Sequence, residues 1–247
     1  MDARGIVYTG IPGKEIAVTG KVSGPDTAGY ALAVYLLQMD TSGGNHQFDY
    51  YHDDRFFLQG APISNAIAFD GEDNYFLSTS SADSQIVICA DTNGNMEWNT
   101  SVRHHTFDDG YADANSITVI GQDEAQLGGH NLNIVQLDHT GQTVKYKSVG
   151  SLEVDVPMAI GKMGNGFVLT GQVGGGTYRE IIIARVNSDF DLEWGHVFQY
   201  LNRSAFVFDM VVSPDEESLY LTGEVAKDAT LPNVSVFLSK FDEGGDV

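Results

Sequence analysis

Short apolar runs recur along this chain, each closed by a polar or glycine-rich turn, with a period near ~50 residues. Three copies of one phrase stand out: Thr19-Gly20, Thr170-Gly171 and Thr222-Gly223. Each follows an apolar run and precedes a polar residue and a valine. Weaker copies at Tyr75-Phe76-Leu77-Ser78-Thr79-Ser80 and Ala125-Gln126-Leu127-Gly128-Gly129 fill the gap. After each phrase comes a second apolar run that ends in an acid or amide: Asp40, Asp91, Asp138, Asn187 and Asp242. Glycine follows at Gly43, Gly94, Gly141 and Gly244. An aspartate bonds its own backbone and a glycine tolerates positive φ, so this pairing predicts a tight hairpin turn. An aromatic then sits on the next strand, at Phe48, Trp98, Tyr146 and Trp194.

Each unit also opens with an apolar strand, at 5–10, 63–69, 116–120, 156–161 and 206–212. No segment keeps a helical period. Four strands per unit at this spacing match a propeller blade, which buries its sheet only by stacking on its neighbours. The expected fold is therefore all-β: one β-propeller domain, or a segment of one, with about five four-stranded blades. The units fall at roughly 3–54, 55–105, 106–150, 151–200 and 201–247. The last blade lacks its fourth strand, so the reading expects a piece of a longer chain, or a partner that supplies the strand.

The pattern resembles the bacterial-type β-propeller repeat family (SBBP-like repeats). The segments that carry the resemblance are Asp70-Gly71-Glu72-Asp73-Asn74-Tyr75-Phe76-Leu77 and Ser239-Lys240-Phe241-Asp242-Glu243-Gly244. The resemblance implies an extracellular or surface-exposed binding module without a defined catalytic set. WD40 repeats fit less well because no Trp-Asp dipeptide closes the units. Kelch repeats fit less well because a paired glycine is clear only at Gly128-Gly129.

Charge narrows the partners. With 34 acidic against 13 basic residues, the net charge of −21 repels nucleic acid and anionic membranes. Calcium or basic partners would be attracted instead. The single cysteine, Cys89, lies in an apolar run and reads as a buried structural thiol. No stretch is apolar over the length of a membrane-spanning helix, so no membrane insertion is expected. Of three Asn-x-Ser/Thr triplets, Asn202 and Asn233 fall in expected loops and are glycosylation candidates, which favours an extracellular location.

The loops between units carry the candidate ligand-binding residues. One holds His52, Asp53 and Asp54; the next holds His105, Asp108, Asp109 and Tyr111. If these loops converge, Asp53, Asp54, Asp108 and Asp109 make an oxygen-rich site for calcium, the only cofactor expected. No P-loop, dinucleotide fingerprint, zinc-protease helix or serine-hydrolase elbow occurs. The function expected is a non-catalytic module that binds protein or glycan. The alternative is a carbohydrate-active enzyme, a glycosidase or lyase, with inner-strand carboxylates such as Asp155 and Asp209. A third reading is assembly through the open last blade, by strand addition beside residues 236–241.

Overall fold

Thr19, Thr170 and Thr222 occupy the same place in three small antiparallel sheets, and their hydroxyls make the same bond. In the computed structural model, which describes residues 2–24, 31–51, 63–81, 84–103, 106–124, 130–149, 155–174, 179–199, 203–228 and 231–246, every regular element is a strand. Sheet one is β1 (Asp2–Tyr8), β2 (Ile16–Gly24), β3 (Ala31–Met39) and β4 (Gln47–Tyr51). Sheet two is β5 (Ile63–Phe69), β6 (Asn74–Ser81), β7 (Ser84–Asp91) and β8 (Met96–Arg103). Sheet three is β9 (Thr106–Asp113), β10 (Ser116–Glu124), β11 (His130–Asp138) and β12 (Thr143–Val149). Sheet four is β13 (Asp155–Met163), β14 (Gly166–Val173), β15 (Glu180–Val186) and β16 (Leu192–Phe198). Sheet five is β17 (Ala205–Val212), β18 (Ser218–Asp228) and β19 (Leu231–Asp242). Neighbours in sequence are neighbours in each sheet, so each is a simple meander. Five such sheets in tandem are the blades of a β-propeller, four of them four-stranded and the last three-stranded among the described residues.

The Thr-Gly phrase has a structural cause. In sheets one, two, four and five the first strand skips one residue against the second, between Ala3 and Gly5, Ser64 and Ala66, Pro157 and Ala159, and Val207 and Asp209. The bulge presses the first strand against the residue after the Thr or Ser. A Cβ at Gly171 would run into the carbonyl oxygen of Val156, and one at Gly223 into that of Phe206. The adjoining threonine donates to the third strand: Thr19 to the Tyr35 carbonyl at 2.9 Å, Thr170 to Ile182 at 3.0 Å and Thr222 to Phe237 at 3.3 Å.

The hairpin turns repeat as closely. One carboxylate or amide oxygen accepts from two backbone N–H groups in each: Asp40 from Ser42 and Gly44, Asp91 from Asn93 and Asn95, and Asp138 from Thr140 and Gln142. Asn187 accepts from Asp189 and Asp191, and Asp242 from Gly244 and Asp246. The residue at positive φ is Gly43, Gly94, Gly141, Phe190 and Gly245 in turn. In the last turn it is therefore Gly245, not the Gly244 expected from sequence, that turns the chain.

By contact the chain divides into two compact units, one of Met1–Val119 with Val135–Lys145, the other of Ile120–Ile134 with Tyr146–Val247. Sheet three is divided between them, with the boundary running through its second, third and fourth strands. In the first unit β5 packs on β1 and β2, and β9 on β5, β6 and β7. One core lies between sheets one and two, where Ala17, Val34 and Leu36 meet Ile67, Tyr75 and Leu77. Another lies between sheets two and three, around Phe76, Val87, Val119 and Val135. In the second unit β17 packs on β13, β14 and β15, and Val168, Ile181 and Ile183 meet Val207, Met210 and Leu221. Every residue of β14 is buried, as the middle of a stack requires. At about 1.5–3 kcal/mol per large apolar side chain, these inter-sheet contacts are the main favourable term of the fold.

Two further sequence expectations change. Residues 116–120 were expected to open the third unit. That strand is β9, and 116–120 belong to the second strand, β10. The expected second strand, 125–129, lies outside the described residues. The acidic, glycine-bearing segment TFDDGYAD has weak strand propensity, but packing on β5–β7 holds it as one. The aromatics are also not one series. Trp98 lies opposite Cys89 and Trp194 opposite Arg185, each two residues before its turn acid or amide. Phe48 lies opposite Leu37, one step farther from the turn, and so on the other face, where it stacks on Tyr35 at 5.1 Å. Tyr146 follows its turn acid at the same distance as Phe48, is half-exposed, and donates its hydroxyl to Asn133 at 3.0 Å.

Candidate functional site

His52, Asp53, Asp54 and His105 lie outside the described residues, as does Asn202. Asp108, Asp109 and Tyr111 lie in strand β9 rather than in a loop, and each is partly buried. Consecutive strand residues point to opposite faces, so Asp108 and Asp109 address different sides of sheet three. Among the described residues no group of three or more His, Cys, Asp or Glu side chains could hold a metal ion. The backbone of Asn233 belongs to β19, not to the loop expected for a glycosylation site. Asp209 is exposed on β17, and its Oδ1 accepts from the N–H of Met210 at 2.7 Å. Asp155 opens β13.

Concavities lie among the described residues of the second unit. An apolar cleft of about 300 Å³ separates sheets three and four, with Leu132 and Val149 on one wall and Val156, Leu169, Ile182 and Val197 on the other. A second, of about 290 Å³, lies between sheets four and five, under Ile181, Phe198, Phe237 and Phe241. The third, about 330 Å³, is polar. It forms where the turn at Gly164 and Asn165 faces Asn187 and Ser188, with Arg185 paired to Glu193 at 3.0 Å on its floor. The apolar clefts suit aliphatic or aromatic side chains, and the polar recess offers donors and acceptors to hydroxyl groups.

The strongest surface feature is a sheet face. Leu36, Val87, Ile183 and Leu238 hold one register position, opposite Thr19, Ser78, Thr170 and Thr222. The first three are 0% exposed, and Leu238 is 74% exposed. Two residues earlier, Val34, Gln85 and Ile181 are buried, whereas Val236 is 75% exposed. Val211, opposite Tyr220, and Phe208 at the bulge extend the exposed apolar surface of sheet five. Sequence reasoning saw the open edge of the last sheet but not this open face. Val236 and Leu238 look in sequence like the buried residues of the other third strands, and only the register of a covering neighbour tells them apart.

No family model matches the chain, and no curated protein matches it in sequence. Solved structures do. The chain is similar to a protein of Bacteroides uniformis ATCC 8492 described as a candidate 6-phosphogluconolactonase, at 13% identity and TM-score 0.56 over 95% of this chain and 71% of that one. It is also similar to a GH43 β-1,3-galactosidase solved with galactodeoxynojirimycin, at 13% identity and TM-score 0.53 over 99% of this chain and 92% of that one. The likeness is one of fold.

Proposed function

We propose that this chain is a non-catalytic propeller module that binds another polypeptide through the exposed face of its last sheet. The observation that carries this reading is the exposure of Val236 and Leu238 at positions buried in sheets one, two and four. Large apolar side chains left exposed on one sheet face mark a site of association. The frame behind it is stiff, with five equivalent hairpin turns and buried middle strands, so the face is presented with little ordering cost. The likeness of the repeat to the SBBP-like family agrees with a binding module.

The test is a selection from a displayed random-peptide library on the immobilised chain, run beside a Val236→Asp, Leu238→Asp double variant. The reading expects peptides enriched on the wild type and lost on the variant. Equal enrichment on both, or turnover of aryl glycosides well above the buffer rate, would contradict it.

A further inference from the structure

Among the described residues, β19 pairs with β18 on one side and with no strand on the other, whereas the third strand of each other sheet carries a fourth. Sheet four shows what that fourth place supplies. Val197 lies opposite Ile182 and Gly195 opposite Ala184, and these four residues line the cleft toward sheet three. By register from Thr170 and Thr222, Phe237 stands for Ile182 and Ser239 for Ala184. Phe237 and Ser239 line the equivalent cleft, of about 290 Å³, between sheets four and five. Beside them no described strand supplies the counterparts of Val197 and Gly195.

This slot has a second wall. Trp194, His196 and Phe198 alternate along β16 and form a row of rings with centroids 5.3 Å and 6.1 Å apart, and Phe198 lies 5.3 Å from the ring of Phe241. The turn after β19 is fixed to the same row: His196 Nε2 lies 3.1 Å from the carbonyl oxygen of Gly244, and the Trp194 ring covers Gly245. Edge and wall are thus held together before anything binds. All of these residues belong to the second unit. Consecutive strand residues alternate, so Phe237 and Ser239 point away from the face that carries Val236 and Leu238. The slot therefore does not depend on what stacks on that face.

We infer that this slot takes an extended strand of a basic polypeptide partner, added to the edge of β19 beside residues 235–241. An unpaired edge offers backbone donors and acceptors, and a cleft beneath it selects alternate side chains. Ile181, Phe198, Phe237 and Phe241 line that cleft, so every second residue of the partner is apolar. Two observations name the occupant. A strand fills the same place in sheets one to four. A chain of net charge −21 draws a basic strand and repels an acidic one. The site goes beyond the proposed function, which concerns the opposite face of β19.

The probe is a nine-residue peptide of alternating valine and lysine, titrated calorimetrically into the full chain. It is expected to bind, to slow hydrogen exchange of the backbone amides in residues 235–241, and to bind at least tenfold more weakly in high salt. Two control peptides are each expected to bind at least tenfold more weakly: one of the same composition with its valines and lysines in two blocks, and the alternating peptide methylated on every peptide nitrogen. Ser239→Trp, which fills the cleft, should weaken binding of the alternating peptide by a similar factor with unchanged far-ultraviolet circular dichroism. Failure of the alternating peptide to bind would overturn the inference. Equal binding of either control peptide would do so too, since charge alone would then be the attraction. Unchanged binding to a folded Ser239→Trp variant, or exchange slowed only outside residues 235–241, would also overturn it. If the displayed library still selects peptides on the Leu238 face while the alternating peptide does not bind, this inference falls and the proposed function stands.

Discussion

The indole N–H of Trp98 donates to the carbonyl oxygen of His139 at 2.7 Å, which ties the last strand of sheet two to the hairpin turn of sheet three. The ring also covers Gly141, where an added Cβ would lie 2.8 Å from Trp98 Cε3. The same relation recurs where Trp194 and His196 lie over Gly245. It recurs again where the Tyr51 hydroxyl donates to the Gly94 carbonyl at 3.1 Å. Turn glycines therefore serve twice, once for backbone conformation and once as the floor for a neighbour's side chain.

This relation predicts coupled substitutions. Gly141→Ala is expected to cost about 1–3 kcal/mol, from its φ of +79° and from the ring above it. Trp98→Ala is expected to cost about 3–5 kcal/mol. The double variant should lose less than the sum, because the clash vanishes with the ring. Urea unfolding of the four proteins measures the difference, and strict additivity would count against the contact.

Phe190 is the exception among the turn residues. It holds φ +63° where the other four turns have glycine, and its side chain is fully buried, with its ring 6.0 Å from that of Phe167. Phe190→Gly relieves roughly 1 kcal/mol of backbone strain and forfeits about 3–5 kcal/mol of packing. Net destabilisation is expected in thermal unfolding. A stabilised variant would show that packing at this turn is weaker than its burial indicates.

The turn aspartates predict an acid response. The bond from the Ser42 hydroxyl, with the N–H of Gly44, holds the Asp40 carboxyl below its ordinary value. For Asp138 the bonds from the Thr140 hydroxyl and the Gln142 N–H do the same. A carboxyl lowered on folding adds stability that is present above the unfolded value near ~3.9 and is lost as pH falls through the folded value. Asn187 shows that an amide makes the same turn. Asp40→Asn with Asp138→Asn should therefore fold at neutral pH and lose melting temperature less steeply than the wild type below about pH 4. Parallel pH profiles for the two proteins would contradict this.

Much of this was legible from residue order. Asp-x-x-Gly fixed four hairpins, and Thr-Gly marked three second strands, because a side-chain acceptor and a residue without a Cβ are chemical requirements that local sequence displays. In the third unit the apolar run at 116–120 is the second strand, and the first strand lies one element earlier. The segment around Asp108 and Asp109 is a strand only because neighbouring sheets cover it, and its Thr-Gly copy is disguised as Ile120-Gly121. Phe48 was placed with Trp98 because a shift of one residue is invisible in a period near ~50, yet it turns the side chain to the opposite face. The exposed face of sheet five could not be read at all, since burial there depends on what stacks against it.

Cys89 gives an independent check on the core. It is 3% exposed, and burial, with Glu97 and Asp70 adding to it, pushes the thiol up to about 12. In native protein at pH 8 the thiol should resist Ellman's reagent, and one equivalent should react rapidly in denaturant. Fast reaction of the native protein would place sheets two and three farther apart than the packing of Cys89 with Val135 and Leu137 requires.

Ile183 and Leu238 share one register position, opposite Thr170 and Thr222, and differ only in whether a further sheet covers them. Comparing the unfolding free energies of Ile183→Asp and Leu238→Asp in dilute, monomeric protein is the most direct measurement of the account. Ile183→Asp should lose more than about 3 kcal/mol, as an unpaired charge under a stacked sheet does, and Leu238→Asp should stay within about 1 kcal/mol of the wild type. Equal losses at the two positions would show that the sheets do not bury themselves against one another in this order.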